Sequence, residues 1–347
     1  MQQMKQVKKG IRPELFMWLS LVVACVSYLG MRIDSYGHFQ VGAYESVFSG
    51  WHALLYAGII CSLLLYGGSR FLNSFSGIRP LIPAGYEISM IGVIVLALSL
   101  PGDVIWHTLF GFELNTEAVV SPPHWGLIIG LTLFAAGPLI AAWKQKLREL
   151  TWRHAFPVAL SAGFTLSCAT AYTFYANPLS RAAYIALPRY FQILQDSDNY
   201  FAPQLGAASF IVGSALLVGL ALPLASRWKL PLGFFTLIFT IVTFFMTVFF
   251  NEYRMIIPMV FAGFAVDLMA RYLKINQGNV THGLLFAFLV PLITWIGFFL
   301  ALFLTQGTYL RIHGWSGLIF LGAMSGLMIG GLYYLRPAEC AETVEKA

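Results

Sequence analysis

The sequence predicts an all-α integral membrane protein, and three observations support this fold class. Of the 347 residues, 58% are hydrophobic and only 10% are charged, with a mean hydropathy of +0.73. Soluble domains carry about 25% charged residues. Apolar runs of roughly 17–25 residues, long enough to cross a bilayer, recur along the whole chain. Such a chain is expected to form a polytopic helix bundle, because helices satisfy their own backbone hydrogen bonds inside lipid.

About ten of these runs are predicted as transmembrane helices. They lie near 13–32, 51–68, 86–107, 122–143, 155–176, 205–226, 230–250, 255–272, 283–305 and 312–335. The longest polar connection, near 178–203, leaves no room for a soluble domain. Residues 1–347 are therefore expected to form a single transmembrane domain in contact with a lipid bilayer.

The distribution of Lys and Arg predicts the orientation of the helices. With the N-terminus inside, sixteen of the 21 basic residues fall in inner segments. Basic residues are enriched in cytoplasmic loops, so the bias predicts a multi-pass protein of the bacterial inner membrane with both termini in the cytoplasm. The net charge of +6 follows from this topology and does not indicate binding to nucleic acid.

The first two helix pairs carry the same set of polar residues. In each set an Asp and a His lie four residues apart and are followed by a Ser and, three residues later, a second His. The sets are Asp34, His38, Ser49 and His52, and Asp103, His107, Ser121 and His124. They predict a parallel repeat of helix pairs 1-2 and 3-4, with units near 13–68 and 86–143.

The spacing within each set predicts that its side chains converge. Asp103 and His107 lie one turn apart on one face of a helix. Ser121 is predicted as the N-cap of the next helix, with prolines in its first turn and His124 at the third position. Ser49 and His52 repeat this spacing before the second helix.

Carboxylate and imidazole groups are costly beside hydrocarbon unless they are paired or coordinated. We therefore expect a metal site facing the periplasm, with one ion or two. The predicted ligands are Asp34, His38, His52, Asp103, His107 and His124, and additional candidates at outer helix ends are His313 and Glu252. A proton-relay network without metal is the alternative. Asp267 and Arg271, near an inner helix end, are predicted to form an ordinary helix ion pair.

The ligand types limit the choice of metal. Asp with two His suits Cu(II), Zn or Fe(II). The four cysteines are scattered, so no paired-thiolate metal site is predicted. No nucleotide-binding or haem-attachment motif is found, and no catalytic residue is assigned.

One segment resembles a known copper-site motif. Asp-Val-Ile-Trp-His at 103–107, followed by Ser-Pro-Pro-His at 121–124, is similar to the motif of the C subunit of particulate methane and ammonia monooxygenases. In that family an Asp-x-x-Trp-His segment precedes a Thr-Pro-Ser-His-like helix start. The resemblance implies that Asp103, His107 and His124 hold copper. It covers residues 103–124, and the stretch between the two histidines is longer here than in the family.

These features predict a membrane metalloprotein, with a copper-dependent oxidase or monooxygenase component as the favoured function. Its expected partners are oxygen and a small apolar substrate arriving through the bilayer, together with further copies or other membrane subunits. A zinc-dependent membrane lipid hydrolase, using His52, His107, His124 and Asp103, is one alternative. A transporter or permease is the other, although the ionisable residues cluster at one face and the midplane is nearly bare.

Overall fold

The computed structural model describes residues 12–37, 49–76, 82–113, 117, 120–145, 147–171, 173, 177–180, 182, 201–248, 251–276, 278–308 and 310–335. The helices in this part of the chain are α1 (Pro13–Tyr36), α2 (Gly50–Ser76), α3 (Glu87–Phe110), α4 (Pro122–Ala135), α5 (Gly137–Trp143), α6 (Trp152–Ala171), α7 (Phe201–Arg227), α8 (Phe234–Thr247), α9 (Ile256–Tyr272), α10 (Val280–Thr305) and α11 (Ile312–Tyr334). The all-α prediction is confirmed. The β contact described is an isolated bridge between Glu149 and Lys229.

Each predicted span coincides with helical structure, and eight helical segments in the described ranges are long and apolar enough to cross a membrane. Large apolar side chains on these segments point outward, such as Leu98, Phe261 and Leu304, which are 71%, 69% and 77% exposed. Outward-facing apolar side chains of this size fit contact with lipid rather than water. The chain is therefore a multi-pass membrane protein.

The fourth predicted span is divided at Ala136 into α4 and α5. Pro138, in the first turn of α5, has no N–H to continue the helical hydrogen bonds. Ser161 of α6 compensates for the break, because its hydroxyl donates to the carbonyl of Ala135 (2.6 Å) and accepts from the N–H of Leu139 (3.1 Å). The break is thus stabilised by a side chain from a neighbouring helix.

α1 and α2 pack as an antiparallel hairpin with close backbone contact. A methyl group placed on Gly30 would clash with the backbone nitrogen of Leu55. One placed on Gly58, a turn later in α2, would lie 2.5 Å from the Cα of Ser27, a turn earlier in α1. The residue numbers of the contacts rise along α2 as they fall along α1. The two helices are therefore antiparallel, and the end of α1 lies beside the start of α2.

α3 and α4 form a second antiparallel hairpin in the same way. Gly92 of α3 lies against Phe134 near the end of α4. Ser99, two turns later in α3, lies against Gly126, two turns earlier in α4. The end of α3 therefore lies beside the start of α4, and α2 packs against α3 to join the two hairpins.

The hydrophobic core has two parts, which meet at α6. The N-terminal half, α1 to α5, packs around aromatic rings such as Phe16 and Phe134, and α6 adds Phe164 and Cys168 to this core. The C-terminal half, α7 to α11, packs around a second aromatic group that comprises Phe210, Trp295, Phe298 and Phe299. α6 contributes buried residues to both parts and lies between them.

Ion pairs define which helix ends share a face of the bundle. Arg153 at the start of α6 contacts Glu14 at the start of α1 (3.2 Å), and Lys144 after α5 contacts Glu87 at the start of α3 (2.9 Å). We call the side with these starts the basic face. The ends of α1 and α3 and the starts of α2 and α4 lie on the opposite side, the histidine face. Which face is cytoplasmic stays a prediction from the Lys and Arg bias.

Asp267 of α9 does not form the predicted pair with Arg271. Its carboxylate instead accepts hydrogen bonds at the start of α8, from the N–H of Gly233 (3.0 Å), Phe235 (2.8 Å) and Thr236 (3.0 Å) and from the hydroxyl of Thr236 (2.6 Å). The prediction was wrong because a helix start carries unpaired N–H groups and partial positive charge. A buried carboxylate is better satisfied there than by an exposed guanidinium on its own helix.

Candidate metal centre

A buried polar cluster lies on the histidine face, where the two hairpins meet. The side chains come from the ends of α1 and α3 and from the first turns of α2 and α4. They are Asp34, His52, Asp103, His107 and His124, which are 5%, 0%, 1%, 4% and 7% exposed. Carboxylates and imidazoles at this depth need partners, because transfer of a charged group out of water is expensive.

Each hairpin brings its Asp against the His of its second helix. In the first hairpin, Oδ1 of Asp34 lies 3.3 Å from Nε2 of His52. In the second, Oδ1 of Asp103 lies 3.1 Å from Nε2 of His124. The same contact arises in both places because antiparallel packing sets the last turn of one helix beside the first turn of the next.

His107 joins the two hairpins. Its ring centroid lies 5.8 Å from that of His52 and 5.5 Å from that of His124, so its imidazole contacts one imidazole from each hairpin. Its Nε2 also lies 3.4 Å from Oδ1 of Asp103. Ligand atoms of His52, Asp103 and His107 lie within 4.8 Å of one another, a spacing that one metal ion can span. Both copies of the motif therefore contribute to one cluster.

Glu113 is a member of the cluster that the sequence analysis did not propose as a ligand. Its Oε2 lies 3.1 Å from Nδ1 of His107, and ligand atoms of His107, Glu113 and His124 form a second group within 4.8 Å. The chain returns to His107 through Gly111, whose positive φ of 82° ends α3. Glycine adopts this conformation without strain. The available signal was a Gly, followed two residues later by Glu, directly after a helix that carries a His in its last turn.

The rings of two histidines are oriented by hydrogen bonds on the nitrogen that faces away from Asp103. Nδ1 of His52 bonds to the hydroxyl of Ser49 at 2.8 Å. Nδ1 of His107 lies 3.1 Å from Oε2 of Glu113 and 3.3 Å from the carbonyl oxygen of Gly111, and it donates to these acceptors when it carries the proton. Metal-binding histidines usually donate their second nitrogen to such a group, which fixes the tautomer and the ring plane. In that tautomer the lone pair of each Nε2 is directed into the cluster.

Ser121 is the N-cap residue of α4, as predicted. It occupies the position before α4, but its side chain makes no capping hydrogen bond. The second residue of the helix is Pro123, which has no N–H to donate, so one of the two donors that a cap normally receives is missing. The Ser of the first hairpin thus bonds to its His, whereas in the described part of the chain the Ser121 side chain makes no hydrogen bond.

The geometry of Asp103 limits how the cluster can be stabilised. Its Oδ1 faces the Nε2 atoms of both His107 and His124 at hydrogen-bonding or ion-pairing distance. Protons on these nitrogens would make a charged hydrogen-bonded network. A metal cation bound by the nitrogen lone pairs and the carboxylate would satisfy the same atoms. The arrangement can therefore hold either protons or a metal ion.

Aromatic side chains cover the cluster. Tyr56 stacks on His52 with ring centroids 5.6 Å apart, and Phe112 lies 4.6 Å from the ring of His107. Apolar cover excludes water and lowers the local dielectric constant, which strengthens the interactions between the charged groups.

The remaining predicted ligands are not brought into this cluster. His38 lies outside the described residues. His313 is in the first turn of α11 and is exposed. Glu252 is buried, but its Oε2 accepts a hydrogen bond from Nε of Arg254 at 2.9 Å. Neither His313 nor Glu252 belongs to a group of close ligand atoms in the described part of the chain.

Comparison of the chain with protein-family models, with curated proteins and with solved structures finds no match. The chain is a multi-pass helical membrane protein with a buried His/Asp/Glu cluster that can bind a metal ion.

Proposed function

We propose that this protein is a membrane metalloprotein whose cluster binds copper and supports oxygen chemistry, as an oxidase or monooxygenase component. The observation that carries the proposal is the convergence of imidazoles from two hairpins beside Asp103. His107 and His124, the two histidines implied by the resemblance to the monooxygenase subunit, both face Oδ1 of this carboxylate, at 3.4 and 3.1 Å. His52 from the first hairpin adds a third imidazole.

The donor set supports a borderline transition metal. Imidazole and carboxylate suit Cu(II), Zn and Fe(II), whereas Cu(I) and iron–sulfur clusters prefer thiolate or thioether ligands. In the described part of the chain no cysteine belongs to the groups of close ligand atoms. Asp103 and Glu113 would balance the charge of a divalent ion.

The surrounding residues support an apolar substrate. Bound copper would supply a redox-active ion with an open position for oxygen. Tyr56 and Phe112 cover the histidines with apolar rings, which limits access by water. Ile105 and Leu109 are exposed on α3, the helix that carries Asp103, so a small apolar molecule can reach this helix from the bilayer.

Elemental analysis of the purified protein tests the metal site, and oxygen uptake tests the chemistry. We expect about one copper ion per chain, or two if both groups of ligand atoms are filled. The double substitution His107→Ala, His124→Ala should abolish binding. His313→Ala is the matched control, because His313 is an exposed His at a helix start on the same face. Absence of metal from the unaltered protein, or equal metal in all three proteins, would contradict the proposal.

A zinc-dependent lipid hydrolase is a second candidate, and the position of His52 favours it. His52, Asp103 and His107 form one group of close ligand atoms. Two imidazoles and a carboxylate that leave a position open for water are a donor set of catalytic zinc, and a second nearby carboxylate can act as base. Glu113, 3.1 Å from His107, is such a carboxylate. Lipid hydrolysis that is lost under chelation and restored by cobalt would favour this candidate, whereas metal-dependent oxygen uptake would favour the first. A transporter has no comparable support, because the cluster lies at helix ends.

A further inference from the structure

A second polar site lies on the basic face, away from the metal centre. The segments that follow α5, α7 and α9 surround a pocket of about 1000 Å³. Charged side chains of both signs line it, with basic residues in the majority. The basic residues are Arg148, Arg227, Lys229, Arg271 and Lys274, and the acidic residues are Glu149 and Asp267.

Two of these charged groups are already occupied by the protein itself. Asp267 accepts four hydrogen bonds at the start of α8. Arg227 donates to the carbonyls of Trp143 (3.2 Å) and Gln145 (3.3 Å) and lies over the Trp143 ring. The other four basic residues form no ion pair with a carboxylate in the described part of the chain. Apart from Asp267, Glu149 is the only acidic residue among those that line the pocket. The basic side chains of the pocket therefore outnumber its acidic ones.

The backbone holds two of the free basic residues close together. The N–H of Leu150 donates to the carbonyl of Lys229 (3.0 Å), and the N–H of Lys229 donates to the carbonyl of Arg148 (2.9 Å). These bonds join the segment after α5 to the segment after α7. The side chains of Arg148 and Lys229 therefore start from a fixed frame rather than from two independent loops.

A buried donor in the pocket wall is available to a ligand. Trp228 lines the pocket and is only 3% exposed, yet its Nε1–H has no hydrogen-bond acceptor in the described part of the chain. An indole N–H can only donate, and buried donors are rarely left unsatisfied. The ring is held in place by an edge-to-face contact with Trp143 at 5.2 Å. The hydroxyl of Ser226 also lines the pocket, and the hydroxyl of Tyr334 lies near it.

We propose that this pocket binds the phosphate group of an anionic lipid headgroup. A phosphate offers several acceptor oxygens, which suits one indole N–H, one hydroxyl and four basic side chains. The pocket opens among helix ends, and its wall includes apolar residues such as Leu147, Trp152 and Leu230. Trp is enriched where protein meets the headgroup layer, and basic pockets between membrane helices bind anionic headgroups.

Lipid binding to the purified full-length protein in detergent tests the proposal. Native mass spectrometry can measure retention of phosphatidylglycerol and of phosphatidylcholine with the same acyl chains. We expect the unaltered protein to prefer phosphatidylglycerol. The double substitution Lys229→Gln, Arg271→Gln should weaken its binding about fivefold for each charge removed. Trp228→Phe, which keeps the aromatic ring but removes the donor, should weaken it by a smaller factor.

Arg153→Gln is the matched control, because Arg153 is an exposed basic residue on the same face that pairs with Glu14 and does not line the pocket. Its binding of phosphatidylglycerol should equal that of the unaltered protein. Unfolding temperatures of all variants separate lost binding from lost folding, and Trp228→Phe decides the question if the double variant is unstable. Equal binding of the two lipids, or equal binding by all variants, would overturn the proposal.

Inorganic phosphate in the same assay distinguishes the source of the phosphate group. Displacement of phosphatidylglycerol only at concentrations of phosphate far above those of the lipid supports a lipid headgroup. If inorganic phosphate bound as tightly as the lipid, and if its binding were equally sensitive to the substitutions, the site would be assigned to a soluble phosphate compound instead. Metal content should be unchanged in every variant, because none of the substituted residues lies in the metal centre.

Discussion

Asp103 in the N-terminal half and Asp267 in the C-terminal half are both buried carboxylates in membrane helices, 1% and 4% exposed. Their partners differ. Asp267 receives hydrogen bonds at the start of α8 from three backbone N–H groups, which can only donate, and from the hydroxyl of Thr236. Asp103 faces two imidazole nitrogens, which bind either a proton or a metal. Burial of a carboxylate therefore does not identify a functional site, whereas the chemistry of its partners does.

The largest expected effect is the loss of metal on substitution of Asp103. Asp103→Asn keeps the size of the side chain but removes its negative charge, so we expect metal affinity to fall by about 100-fold or more, beyond the 10- to 100-fold cost of changing a residue that only supports a ligand. Metal titration followed by elemental analysis measures this change. If Asp103→Asn bound as much metal as Asp267→Asn, Asp103 would not be a metal ligand, and the proposed difference between the two carboxylates would be contradicted.

Asp267→Asn should have the opposite profile, with metal retained and stability reduced. The amide cannot accept the same set of charge-assisted bonds at the start of α8, so we expect the free energy of unfolding to fall by about 2 kcal/mol. Thermal unfolding in detergent measures the loss. Arg271→Gln is the control, since the predicted ion pair is not formed, and it should unfold at the temperature of the unaltered protein. If Arg271→Gln lowered the unfolding temperature more than Asp267→Asn does, the ion pair predicted between Asp267 and Arg271 would be favoured instead.

Ser49→Ala should have the smallest effect, and it tests the difference between the two hairpins. Ser49 bonds to Nδ1 of His52, so its removal should lower metal affinity about tenfold through a less well-oriented ring, with little change in stability. Ser121→Ala is the comparison, because the Ser121 side chain does not cap α4. Stability should stay the same in this variant too. An equal, large loss of metal affinity in both would mean that the two Ser residues have the same role.

Most of the fold could be predicted from the sequence, because the tendency to cross a bilayer is a local property. A run of about 20 apolar residues forms a helix in lipid whatever its neighbours are, since its backbone hydrogen bonds must be made internally. Each predicted span accordingly coincides with helix, from Pro13–Tyr36 to Ile312–Tyr334. The division of the fourth span at Ala136 was missed, since the hydroxyl that stabilises it comes from Ser161 of another helix.

The candidate site was predictable in part for the same reason. Spacing places Asp and His on one helix turn, and a short connection places the next helix beside them, so the contacts of Asp34 with His52 and of Asp103 with His124 follow from each hairpin alone. Sequence spacing could not predict the contact between His52 and His107, which depends on how α2 packs against α3. Glu113 was missed because its approach depends on the turn at Gly111 rather than on helical periodicity.

The sequence by itself therefore determined the membrane class, the helices and the residue types available as ligands, since these depend on local composition and spacing. Tertiary structure alone decided that both motif copies meet in one cluster, that Glu113 joins it and that Asp267 stabilises a helix start. These outcomes arise from packing between helices that are distant in the chain. A buried polar group pairs with the partner that lies nearest to it in space, and spacing along the chain does not determine which partner that is.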